Sequence, residues 1–234
     1  MARRLVSGAG FEHVVFSRGD LRTTERIHVY LEGDGLPWRS RHRIASDPTP
    51  RNPLALRLMA LDPSPSIYLG RPCYFGLAQA DGCSPWLWTD ARYGAEVVDS
   101  MVAALKALLP ADGPPPLTLI GYSGGGVLAA LMAPRLGGEV RVVTLAANLD
   151  IDAWADHHGY SRLSGSINPA NEPPIGASIM QLHLMGARDR EVPPATVARF
   201  MAVNPGAQRR LFSDSDHRCC WLDDWPALLL LLDG

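Results

Sequence analysis

The stretch from Leu117 to Ala130 constrains the fold of this chain more than any other. Strand-forming residues, Leu117-Thr118-Leu119-Ile120, run into Gly121-Tyr122-Ser123-Gly124-Gly125-Gly126, and small apolar residues of helical character follow. That is a strand, a very tight turn and a helix, with one serine at the tip. The spacing G-x-S-x-G is that of a nucleophile elbow. Such a turn forces Ser123 into a strained backbone conformation, and its neighbours must be small for strand and helix to approach. A helix beginning behind the serine offers free N–H groups and a positive dipole end to a developing oxyanion. The bland alternative is a glycine-rich turn that holds a serine without chemistry. The strand before and the helix after favour the elbow.

Periodicity supplies the rest of the frame. Strands are predicted at 11–16, 26–31, 66–70, 140–146, 180–185 and 208–212, besides the elbow strand, and residues 17–20 read as a turn. Helices are predicted at 52–61, 93–109, behind the elbow, near 151–157, at 194–203 and at 221–232. Residues 36–53 read as irregular, 71–92 as an ordered loop packed on the body, and 147–178 as a small cap inserted into a single domain spanning 1–234. Strands alternate with helices from residue 66 onward. This predicts an α/β fold with a mainly parallel, doubly wound sheet and helices on both faces. With 47% hydrophobic residues in 234, such a chain can bury about 70–75% of its unfolded surface.

Composition excludes several classes of partner. A formal net charge of -2 gives no reason to expect nucleic acid or an anionic membrane surface. Nowhere does an apolar run reach the length of a membrane span. Met1-Ala2-Arg3-Arg4 has the charge of a signal-peptide start, but Ser7, Gly8 and Gly10 interrupt the apolar stretch behind it, so a cytoplasmic location is expected. There, Cys73 and Cys83, which could pair if their loops meet, should be free thiols. Cys219 and Cys220 are adjacent, and bridges between neighbours are rare. Neither a CxxC nor a His/Cys cluster has metal-ligand spacing, and neither a metal nor an organic cofactor is expected.

A serine hydroxyl needs a base, and the base needs an orienting partner. Asp189 follows the strand at 180–185, and His217 follows the last strand; both positions lie where open α/β sheets place their sites. Asp189 could instead cap the next helix, and His217 could be a plain loop residue. Asp150, beyond the strand at 140–146, is the rival acid, but it precedes Ile151-Asp152-Ala153-Trp154 and better suits a helix N-cap. The order Ser123, Asp189, His217 is the one a genuine elbow requires.

On Gly121-Tyr122-Ser123-Gly124-Gly125, the run Gly186 to Pro193 and His217, the chain resembles the α/β-hydrolase superfamily from about residue 26 to its end. The resemblance implies a Ser123–His217–Asp189 triad and an oxyanion hole. One donor would be the N–H of Gly124. The other would come from Glu32-Gly33-Asp34-Gly35, where Glu32-Gly33 replaces the His-Gly frequent in the family; the Asp34 N–H is favoured, with its carboxylate turned away from the hole. The implied activity is hydrolysis of an ester or related acyl bond in a small molecule through an acyl-enzyme. Thioesterase, amidase, peptidase and acyltransferase activities share this machinery, and a non-catalytic binding protein of the same fold is the rival from another class. No long amphipathic helix suited to an interfacial lid lies in 36–53 or 147–178, so compact soluble substrates are expected. His157 and His158 read as surface residues, His183 as a core histidine, Trp86, Trp88 and Trp154 as packing residues, and Arg71 and Arg92 as holders of loops.

Overall fold

The computed structural model describes residues 1–22 and 25–232. The chain runs β1 (Ala2–Gly8), β2 (Phe11–Arg18), β3 (Ile27–Leu31), β4 (Trp38–Ser40), β5 (Arg43–Ile44), α1 (Leu54–Leu61), β6 (Ser66–Leu69), α2 (Ala95–Leu108), β7 (Leu117–Tyr122), α3 (Gly124–Leu136), β8 (Val140–Leu145), α4 (Ile151–His158), β9 (Met180–Gly186), α5 (Ala198–Val203), β10 (Gln208–Phe212) and α6 (Trp221–Leu229). Among the described residues, eight strands form one sheet in the order β1-β2-β6-β3-β7-β8-β9-β10. The six strands from β6 to β10 are parallel; β1 and β2 are antiparallel to each other, and β2 is antiparallel to β6.

The period of two along the central strands decides which helix covers which face. Val29, Leu119 and Val142 join one core with Val97 and Met101 of α2 and Val127 and Leu128 of α3. Their neighbours Tyr30, Ile120 and Val143 join a second core with Leu54 and Leu58 of α1 and Trp221 and Trp225 of α6. With both faces covered, β3 is buried at every position. A third, smaller cluster packs Ala147, Leu149 and Met185 against Val197 and Phe200 at the C-terminal edge of the sheet.

Four features depart from the sequence reading. The N-terminal stretch is the edge strand β1, paired with β2 over its whole length; its side chains are mostly exposed, so no hydrophobic alternation announces it. Residues 36–53 contain the small hairpin β4–β5. The helix expected at 194–203 divides into a 3₁₀ turn at Pro194–Val197 and α5. Cys73 is bonded to Cys83 and Cys219 to Cys220, so none of the described cysteines is a free thiol. Successive turns, Leu77 N–H to Tyr74 O, Ala80 N–H to Leu77 O and Cys83 N–H to Ala80 O, wind the loop back and bring the Cα atoms of Cys73 and Cys83 to 5.5 Å. That is within the reach of a bridge. Among the described residues, no helix is long and apolar enough to cross a membrane.

Candidate active site

Ser123 stands between β7 and α3 with φ 51° and ψ -124°. For a residue with a Cβ this is strained backbone. The surroundings leave it no alternative. Its N–H donates to Leu145 O at 2.8 Å and its carbonyl accepts from Gly126 N–H at 2.9 Å. A Cβ at Gly121 would lie 2.3 Å from Gly125 O, and one at Gly125 2.1 Å from Leu31 O. The turn closes only because β7, α3 and the end of β3 meet backbone to backbone.

Two parallel strands deliver the partners. β9 ends in the turn that holds Asp189, and β10 leads to His217. Ser123 Oγ lies 3.1 Å from His217 Nε2, and His217 Nδ1 lies 2.9 Å from Asp189 Oδ2. The other oxygen of Asp189 accepts from the N–H groups of Glu191 and Val192 at 2.9 and 2.7 Å. These bonds fix the carboxylate and reserve Oδ2 for the imidazole. Trp221 Nε1 donates to His217 O at 3.1 Å, and the Tyr122 ring lies 5.2 Å from the imidazole. Asp189 and His217 are buried and Ser123 half-buried, so the relay opens at the serine end.

Asp150 is placed elsewhere. It caps α4 by accepting from Ala153 N–H at 3.2 Å and binds Arg199 through both oxygens at 2.7 Å. Burial pushes its carboxyl up, but hydrogen bonds from Arg199, Asn168 and Ala153 outweigh that and hold it below the usual carboxylate range.

The expected oxyanion loop also lies at the elbow. A Cβ on Gly33 would come 3.3 Å from Ser123 Cβ. The N–H of Gly33 is taken by Glu32 Oε1 at 3.1 Å, whereas among the described residues the N–H groups of Gly124 and Asp34 have no protein acceptor. The Asp34 carboxylate packs against the Cα of Gly124, so that a Cβ there would meet Asp34 Oδ1 at 2.0 Å. Its charge is met there by Arg71 at 2.8 Å, Arg92 at 3.0 Å and the Tyr93 hydroxyl at 2.6 Å, while Tyr74 donates to Asp34 O at 2.9 Å. Burial raises the carboxyl, but Arg71 and Arg92 reverse this and hold it low.

Glu191 was not anticipated. Its carboxylate reaches 3.7 Å from His217 Nε2 and is half-exposed at the mouth of the site. Its carbonyl accepts from Trp154 Nε1 at 2.8 Å and bonds His158 Nε2 at 2.9 Å, so α4 is fastened to the turn that carries Asp189. Of the other residues weighed, Trp88 is buried and donates to Ala45 O, Trp86 is exposed, and His183 is buried with Nδ1 on the Thr144 hydroxyl at 2.8 Å. Two cavities, of about 340 Å³ beside His28 and Pro65 and about 700 Å³ beside Arg22 and Leu109, lie at the opposite edge of the sheet and contain none of these residues. No group of acidic, His or Cys side chains that could hold a metal ion occurs among the described residues.

This sheet order, with a serine at a strand-to-helix turn and an acid and a histidine after later strands, defines an α/β-hydrolase-fold protein. Solved structures carry the same fold. The chain aligns over its full length with a protein of Agrobacterium vitis S4 provisionally assigned as a hydrolase, at 15% identity, 99% coverage of that chain and a TM-score of 0.69. It aligns likewise with mouse alpha/beta hydrolase domain-containing protein 10 (13% identity, 100% and 97% coverage, TM-score 0.65) and with proline iminopeptidase from Mycobacterium smegmatis (12% identity, 99% and 96% coverage, TM-score 0.66). No protein-family model and no curated protein matches the sequence.

Proposed function

We propose that the protein is a serine hydrolase that cleaves an ester or related acyl bond of a small, compact molecule. The observation that carries this reading is the continuous relay from Ser123 Oγ through His217 to Asp189, at 3.1 and 2.9 Å. Ser123 attacks the acyl carbonyl as its proton passes to His217 Nε2. The carbonyl π electrons move onto oxygen, and the oxyanion is received by the N–H groups of Gly124 and Asp34. Asp189 keeps the proton of the imidazole on Nδ1 and stabilises the imidazolium. The tetrahedral adduct collapses, His217 gives its proton to the leaving group, and an acyl-enzyme remains. Water, deprotonated by His217, releases the acid by the same steps in reverse. Residues 147–178, with α4 docked on Glu191, serve as a small cap beside the site.

The Cys73–Cys83 bridge favours an oxidising compartment over the cytoplasm expected from the sequence. Thiol titration of protein purified without reductant tests this: free thiols would return it to the cytoplasm.

A fluorophosphonate probe tests the main reading. It should label Ser123, a panel of short-chain esters and thioesters should be turned over, and Ser123→Ala should lose both properties. An unlabelled, inactive wild-type protein would leave the fold without this chemistry.

A further inference from the structure

Asp34 is bound by more positive charge than it can neutralise. Arg71 and Arg92 both contact its carboxylate, both are buried, and among the described residues no second carboxylate shares the contact. One arginine would suffice to hold one aspartate. A second buried guanidinium is costly unless something negative offsets it. Glu32, a second buried acid on the same loop, uses its two oxygens on the N–H groups of Gly33 at 3.1 Å and Ala55 at 3.0 Å. Burial pushes its carboxyl up to about 7, against those N–H bonds and the attraction of Arg71, and it makes no ion-pair contact with either arginine among the described residues. The surplus cation is kept in place by rings: the Arg71 guanidinium lies 5.4 Å from the centre of Tyr93 and 5.8 Å from that of Tyr74. The Arg71 Nε is buried with no hydrogen-bond partner among the described residues.

The surplus sits at the elbow. Asp34 Oδ1 and the Tyr93 hydroxyl are the atoms a Cβ on Gly124 would strike, at 2.0 and 2.4 Å. The guanidiniums are therefore one hydrogen bond behind the residue whose N–H faces the reacting carbonyl. We propose that Arg71 and Arg92 are positioning residues that over-neutralise Asp34, leaving a buried positive charge behind the oxyanion hole that is balanced only when the tetrahedral oxyanion forms. Charge placed before the reaction in a dry site stabilises the transition state without reorganisation. This rests on the reading of Ser123 as nucleophile.

The test separates charge from mere pinning of the loop. Arg92→Gln cancels the surplus and should lower kcat by about 10- to 100-fold, below the loss typical for a direct oxyanion donor, with KM changed less than about threefold. Inhibition by a phenylboronic acid, whose serine adduct is a tetrahedral anion, should weaken by the same factor. Asp34→Asn/Arg92→Gln restores the single positive charge and should recover most of that loss. If the pair serves only to pin the loop, the double variant will be as slow as Arg92→Gln or slower, and the proposal is overturned. A KM increase confined to esters carrying a carboxylate, with kcat unchanged, would overturn it too by making the charge a substrate-binding site. Should Arg92→Gln fail to fold, Arg92→Lys, which keeps the charge, must retain kcat within about threefold, and a larger fall defeats the proposal. Fluorophosphonate labelling of wild-type Ser123 keeps the two questions apart: labelling with no charge effect sinks the inference alone.

Discussion

At the scale of single residues, the two aspartates after β8 and β9 have different partners, and substitution should expose what each does. Asp189→Asn would keep an oxygen for the N–H groups of Glu191 and Val192 and turn its NH₂ toward His217 Nδ1. That forces the proton onto Nε2, where it blocks acceptance from Ser123. Turnover should fall on the order of 10⁴-fold with the thermal midpoint near wild type. Asp150→Asn can still cap α4 but loses the charged pair with Arg199. It should cost about 1 kcal/mol and leave kcat nearly unchanged. Parallel measurement of kcat and Tm decides, and the reverse pattern would reassign the acid. His183 carries a pH prediction. Burial pushes its pKa down to about 4, while in the unfolded chain it titrates near 6.5. The folded protein therefore gains from neutral His183 above about 6.5 and loses this contribution as pH falls from about 6.5 toward 4, on the order of 3 kcal/mol in all. Comparing Tm against pH for wild type and His183→Asn isolates it: the variant's curve should be flatter across that window, and parallel curves would refute it.

At the scale of elements, the 71–93 loop does more than connect β6 to α2. Arg71, Tyr74, Arg92 and Tyr93 all grip Asp34, and the Cys73–Cys83 bridge closes the loop between them. Closing a loop of this length is worth about 3 kcal/mol in chain entropy. Cys73→Ser/Cys83→Ser should lose up to that amount in denaturant unfolding and should lower kcat as well, because the groups on Asp34 lose their frame. A variant that is less stable yet fully active would detach the loop from the site. Glu191 ties a second element to the site through the α4 contacts. Trp154→Phe removes one donor to its carbonyl and should alter KM more than the melting temperature.

At the scale of the molecule, legibility followed burial on both faces. β3, β7 and β8 were readable because a strand covered on both sides is apolar at most of its positions. The turns that hold Ser123, Asp189 and His217 were readable because their signals are local. β1 was not, since an exposed edge strand carries no burial pattern; the Gly8-Ala9-Gly10 turn, with φ of 41° and 91° at its last two residues, was the available hairpin signal. Nor were the partners of the Asp34 carboxylate. They are Arg71 and Arg92, 37 and 58 positions away, and side-chain partners at that separation leave no periodicity.

The backbone contacts at the elbow have a consequence for how this chain can vary. At Gly125 the obstacle to any side chain is Leu31 O, and at Gly121 it is Gly125 O; neither can retreat without opening the sheet. Compensating substitutions elsewhere cannot relieve a collision with main chain. A saturation scan read out by expression and probe labelling should therefore find these two positions closed to all nineteen replacements, alanine included. Ala129 and Leu131, one to two turns along the same helix, belong to the hydrophobic core and should accept volume changes when their neighbours change with them. Mutational tolerance should thus rise within a few residues of Ser123, and the elbow should be the part of the chain that drifts least.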